Sequence, residues 1–243
     1  MINFFLIFTV FVSIAILVFS IWTLYEFVRI DKEQFKYYIL GVSFYGISVL
    51  YFLFRYIILP PLNDFENVFT GYGTYIAPLI GIFYFVKGTE HLAKEENSNF
   101  KKNQRVHALL FSFIIITSIV ELFYVFLSVN TFSRSLYHVT TVLGYFFYTS
   151  VIFLSLKLLV EYQKAFGDIL SKIIFQYVLA IIIFITGGLI IVFSFRPINI
   201  EGLTIEDISI LRKLIATIGL FLVLIPFIIC FKNVFKLRKH LTS

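Results

Sequence analysis

The sequence predicts an all-α polytopic membrane protein with seven transmembrane helices, the N-terminus outside and the C-terminus in the cytoplasm. Three observations lead there. Of the 243 residues, 60% are hydrophobic and only 14% charged, with a mean hydropathy of +0.94; a soluble domain is nearer half apolar and a quarter charged. Seven stretches reach the roughly 20 apolar residues that a spanning helix needs. Lysine and arginine gather on alternate connections. Together these exclude a water-soluble enzyme, a disordered tail and a disulfide-built secreted module.

The first span, about 3–25, follows Met1-Ile2-Asn3 with no basic stretch and no small-residue cleavage site, so it reads as a retained helix. The second, about 37–59, stops at Pro60-Pro61. The third, about 68–86, carries Gly73, Ala77 and Gly81 at four-residue spacing, a small-residue face that lets a neighbouring backbone approach, within the chain or from a second copy. Pro78 beside it is expected to bend the helix. The fourth, fifth and sixth spans cover about 107–129, 136–156 and 173–194. The seventh covers about 211–231, and Thr204 with Asp207 three positions on resembles a capping box that starts its helix earlier. Connections are marked by Asp31-Lys32-Glu33, by Glu95 to Asn99 and by Arg196-Pro197, the longest running from about 87 to 106. No connection has room for a folded soluble domain, so residues 1–243 read as a single transmembrane domain.

Orientation comes from the cations. Arg29, Lys32, Lys36, Lys87, Lys94, Lys101, Lys102, Arg105, Lys157, Lys164, Lys172, Lys232, Lys236, Arg238 and Lys239 fall on one side, which is 15 of the 20 Lys and Arg residues. Arg55, Arg134, Arg196, Arg212 and Lys213 fall on the other. The excess marks the cytoplasmic side. It also accounts for the net charge of +6 by topology and anionic headgroups without a nucleic-acid partner, since no basic stretch is interleaved with stacking aromatics.

Polar residues at membrane depth usually face a bundle interior. Thr117, Glu121, Tyr124 and Ser128 follow one face of the fourth span. Glu121 lies in its outer half, and Arg55, near the outer end of the second span, is its most evident partner. In the fifth span His138, Thr141, Tyr145, Tyr148 and Ser155 share a face. The candidate ligand-binding set is therefore Arg55, Glu121, Thr117, Tyr124, His138, Thr141, Tyr145 and Tyr148; the alternatives are an arginine that snorkels and polar stripes that only fix helix packing. Tyrosines near span ends, among them Tyr38, Tyr162 and Tyr177, read with Trp22 as an aromatic belt.

Several chemistries are ruled out by what the chain lacks. With Cys230 alone, no internal disulfide can form. His91, His107, His138 and His240 show no ligand spacing, so neither a metal nor an organic cofactor is expected. The stretch 214–231 holds no lysine for a retinal Schiff base. Walker loops, nucleophile elbows and His-Glu-x-x-His motifs are absent, and an enzyme is not expected.

The layout resembles the seven-transmembrane input modules of prokaryotic sensor histidine kinases. The likeness is carried by Gln176, Gly187-Gly188, the Gly202-Leu203-Thr204 loop, the last helix and the basic exit from Lys236 to His240. It implies a sensor, with the kinase part left to another protein. The expected function is thus a cell-membrane sensor or adaptor that binds a small ligand or partner within the bundle and signals to a separate cytoplasmic protein, through a contact at Lys232, Lys236, Arg238 and Lys239. Partners are then the lipid bilayer and another membrane or cytoplasmic protein, or a second copy. The alternatives are a small-solute transporter or membrane subunit of a transport complex, and a structural subunit of a membrane complex.

Overall fold

A computed structural model describes residues 4–29, 35–53, 76–97, 104–129, 134–194 and 205–242. These residues form α1 (Phe4–Val28), α2 (Phe35–Leu53), α3 (Ala77–Glu96), α4 (Gln104–Val129), α5 (Arg134–Gln163), α6 (Asp168–Ser194) and α7 (Ile205–Thr242). No strand occurs among the described residues. Among the described residues, four helices contain segments long and apolar enough to cross a membrane, Gln104–Phe123, Val142–Gln163, Asp168–Ile190 and Ile208–Lys236, and Val10–Glu26 is a shorter apolar segment. All-helical structure with these lengths fits a membrane protein.

Helix ends depart from the hydropathy windows in a consistent way. α3 continues ten residues past 86, through a stretch expected to be a loop. Its buried positions Leu79, Ile82, Phe85, Val86, Thr89, Glu90 and Ala93 keep the helical spacing across Lys87 and Gly88, and no proline interrupts until the helix closes at Asn97. α5 runs seven residues beyond 156 and α6 starts at Asp168, five before 173. Window reading stops where charge begins, but the helix continues because its buried face continues. Pro78 sits in the first turn of α3 as described, where a missing N–H removes no intrahelical hydrogen bond. Pro226 lies inside α7.

The chain divides into two compact units, with boundaries inside α1 and α6. One comprises residues 1–23 and 175–243. In it α1 and α7 run parallel, since Phe8 meets Phe221 at 4.6 Å between ring centroids, and Phe19 and Trp22 both meet Phe231 at 5.4 Å. α6 crosses α7 where a Cβ on Gly187 would lie 2.8 Å from the Gly219 carbonyl oxygen.

The other unit comprises residues 24–174. α3 is its central helix and packs on α2, α4 and α5. α2 and α3 are antiparallel and cross at two glycines. A Cβ on Gly41 would lie 3.1 Å from the Gly81 oxygen, and one on Gly81 would lie 3.0 Å from the Gly41 oxygen. Gly88 gives room to the ring of Tyr38, which would meet a Cβ there at 2.8 Å.

Candidate functional site

The extension of α3 past its apolar run places Glu90 against α4 and α5. Glu90 is 1% exposed, His107 on the first turn of α4 is 7% exposed and Tyr162 near the end of α5 is 1% exposed. Nε2 of His107 lies 3.3 Å from Oε2 of Glu90 and 2.5 Å from the Tyr162 hydroxyl oxygen. The imidazole and phenol rings are nearly parallel, 6.1 Å apart with a 14° interplanar angle. On the exposed side of the cluster, Nζ of Lys94 stands 3.6 Å from Oε1 of Glu90, one helical turn on. The lysine side chain is 43% exposed, so it connects the buried carboxylate to the surface.

Atom-by-atom hydrogen counting limits the states of this cluster. An ionised carboxylate accepts and never donates. If Nε2 carries the hydrogen, it donates either to the Glu90 carboxylate or to the Tyr162 oxygen; if Nε2 is bare, its single lone pair accepts from the Tyr162 hydroxyl. A three-helix junction is thus held by a buried imidazole whose partner depends on where its hydrogen sits.

A second polar contact lies one residue away. Tyr38 on α2, also 1% exposed, is 2.9 Å from Oγ1 of Thr89. The only hydrogen of Thr89 goes to the Phe85 carbonyl at 2.8 Å, so Tyr38 is the donor. Neighbouring residues Thr89 and Glu90 therefore couple α3 to α2 on one side and to α4 and α5 on the other.

The candidate set expected from the sequence fares differently. Arg55 lies outside the described residues, as does Gly73, so the Arg55–Glu121 pair does too. Glu121 is half-buried on α4. Thr117 is buried, and its hydroxyl donates to the Phe113 carbonyl of its own helix at 2.7 Å. Ser155 on α5 does the same with Val151 at 2.7 Å. These two stripe hydroxyls thus close back-bonds within their helices. Tyr148 is half-buried. Tyr124, His138, Thr141 and Tyr145 are on α4 and α5, with side chains outside the described residues, and so is the side chain of Arg238. Ala77 is buried, and Gly81 packs on Gly41. Lys232, Lys236 and Lys239 are exposed.

Sequence reasoning passed over Glu90, His107 and Tyr162. Glu90 fell in an expected loop, His107 was one of four scattered histidines, and Tyr162 was assigned to an aromatic belt. The structure corrects the last point: Tyr38, Tyr162 and Tyr177 are buried in the protein, while Trp22 and Tyr25 are about half exposed. The available signal was the helical repeat of Phe85, Thr89 and Ala93 with Glu90 and Lys94 at i, i+4, which extends the helix and places Glu90 beside its buried face. Among the described residues no group of three His, Cys, Asp or Glu side chains could hold a metal ion. The chain matches no family profile, no curated protein and no solved structure.

Proposed function

We propose that this chain is a seven-span membrane sensor, with its N-terminus outside and its C-terminus in the cytoplasm, that signals to a separate cytoplasmic protein. The observation that carries this reading is the buried Glu90–His107–Tyr162 cluster at the meeting of α3, α4 and α5. Adding or removing a proton, or inserting a hydrogen-bonding ligand, changes which partner Nε2 of His107 holds, and so biases three helices together. The parallel course of α1 and α7 supports an odd number of crossings, because successive spans alternate in direction. The bias of lysine and arginine supports the orientation. The basic exit 232–240 is the surface offered to the partner.

Buried carboxylate–imidazole chains also serve as proton relays in carriers. That same cluster favours a proton-coupled small-solute transporter as the second reading. Isolation of the protein from its native membranes in mild detergent separates the two. A stoichiometric cytoplasmic partner is expected, still bound by the Glu90→Gln variant but no longer regulated by it. A protein that elutes without a partner, and whose reconstituted vesicles show a flux abolished by Glu90→Gln, overturns the sensor reading in favour of transport.

A further inference from the structure

We infer that the exit of α7 is a binding surface for the phosphate groups of anionic phospholipids. This does not rest on the sensor reading, and it gives Lys232, Lys236 and Lys239, offered above to a cytoplasmic partner, to the headgroup layer that such a partner must approach.

Length fixes the depth of the groups concerned. Lys213 and Lys232 bracket a stretch of α7 that holds no charged residue. At 1.5 Å per residue they stand about 28 Å apart, close to the roughly 30 Å of bilayer hydrocarbon. Lys232 then lies at the hydrocarbon boundary, and Lys236 and Lys239 lie about 6 and 10 Å further out, in the headgroup layer.

Angle fixes their face. At 3.6 residues per turn, Phe231, Phe235, Lys239, Lys232 and Lys236 fall in that order within an arc of about 140°. On the opposite side, Asn233 and Val234 are fully buried. Phe235 is 39% exposed, and the three lysines are exposed. Phe231 packs on Phe235 at 5.0 Å and edge-on against Trp22 of α1 at 5.4 Å. Trp22 is 49% exposed. One surface therefore passes from aromatic edges to three ammonium groups, the order of chemistry along a phospholipid from acyl chain to phosphate.

Charge complementarity names the occupant. Residues 208–243 contain no Asp or Glu, and the two acids of α7, Glu206 and Asp207, lie in its first turn, so α7 places no counter-ion beside these lysines. A zwitterionic headgroup offsets its phosphate with its own ammonium, whereas an anionic one does not. The surface therefore selects phosphatidylglycerol-type or phosphatidylserine-type lipids over phosphatidylcholine.

The chain contains a single tryptophan, and Trp22 sits on this surface, so it reports the neighbouring lipid directly. The full protein is reconstituted in phosphatidylcholine vesicles containing phosphatidylglycerol, with bromine on the acyl chains of one lipid class at a time. Brominated phosphatidylglycerol is expected to quench Trp22 about threefold more per mole than brominated phosphatidylcholine, reflecting about fivefold preference per well-placed lysine at low salt, shared among exchanging lipids. The Lys232→Gln, Lys236→Gln, Lys239→Gln triple variant is expected to lose that excess while keeping its phosphatidylcholine quenching, which shows that Trp22 remains in the bilayer. The triple arginine variant, which keeps the charge, is expected to retain the excess. Equal quenching by the two lipids in the unaltered protein, or an excess that survives the glutamine variant, overturns the inference.

Discussion

Nε2 of His107 on α4 faces two partners at once, Oε2 of Glu90 at 3.3 Å and the hydroxyl of Tyr162 at 2.5 Å. One nitrogen has either one hydrogen or one lone pair, so it cannot serve both an ionised carboxylate and a donating phenol. That constraint joins three side chains into a unit, and units of this kind respond non-additively to substitution. Glu90→Gln and His107→Gln, made singly and together, are expected to show a coupling of about 1–2 kcal/mol in detergent unfolding, with the double variant less damaged than the sum. Additive losses would mean that the two groups do not act as a unit.

Tyr162→Phe isolates the phenol contact. It keeps the ring parallel to the His107 imidazole and removes only the hydroxyl. The lost hydrogen bond to a buried imidazole is expected to lower stability by about 1–3 kcal/mol. Tyr38→Phe removes the donor to Thr89, whose own hydrogen already serves Phe85; it leaves only an acceptor lone pair unmatched and is expected to cost nearer 1 kcal/mol. Equal losses for the two variants would argue that His107 gains nothing special from Tyr162.

All-helical structure and the long apolar helices α4 to α7 were legible in the sequence because apolar length is a strong signal in a chain of this composition. Their ends were not. A hydropathy window closes at the first lysine, so it cut α3 at Val86, although Thr89, Glu90 and Ala93 keep the buried face of the helix going. Polar depth was misjudged for the same reason. Thr117 attracted attention inside an apolar run, yet its hydroxyl bonds its own backbone. Glu90 drew none because its neighbours are charged, yet it is the more deeply buried carboxylate of the two acids compared, Glu121 being half-buried. Pairing across helices, such as His107 with Tyr162 at a separation of 55 residues, has no local signature at all.

Adjacent glycines on α6 give a sharp test of helix packing. A Cβ on Gly187 would stand 2.8 Å from the Gly219 carbonyl oxygen and 2.9 Å from Cβ of Leu222, whereas one on Gly188 meets nothing within 4 Å. Gly187→Ala is expected to force α6 and α7 apart at about 1–3 kcal/mol. Gly188→Ala is expected to be neutral or stabilising by up to about 1 kcal/mol, since alanine is the better helix former. Thermal unfolding of the two variants side by side checks this, and a reversed order would contradict the crossing of α6 on α7.

The side chain of Asn233 is fully buried on α7, and neither amide atom has a hydrogen-bond partner among the described residues. Ser20, on the buried face of α1, has a hydroxyl oxygen in the same condition. The parallel pairing of Phe19 and Trp22 with Phe231 puts Ser20 and Asn233 at similar heights in their unit. A buried amide without partners costs about 1–3 kcal/mol relative to an apolar group of like shape. Asn233→Leu, close to isosteric, is therefore expected to raise the unfolding midpoint, and Ser20→Ala to change it by less, because a hydroxyl has one donor where an amide has two. If Asn233→Leu instead destabilises the protein, the amide has a partner in the membrane-embedded state that offsets its burial. Repeating the measurement in the Ser20→Ala background would then show whether that partner acts through α1.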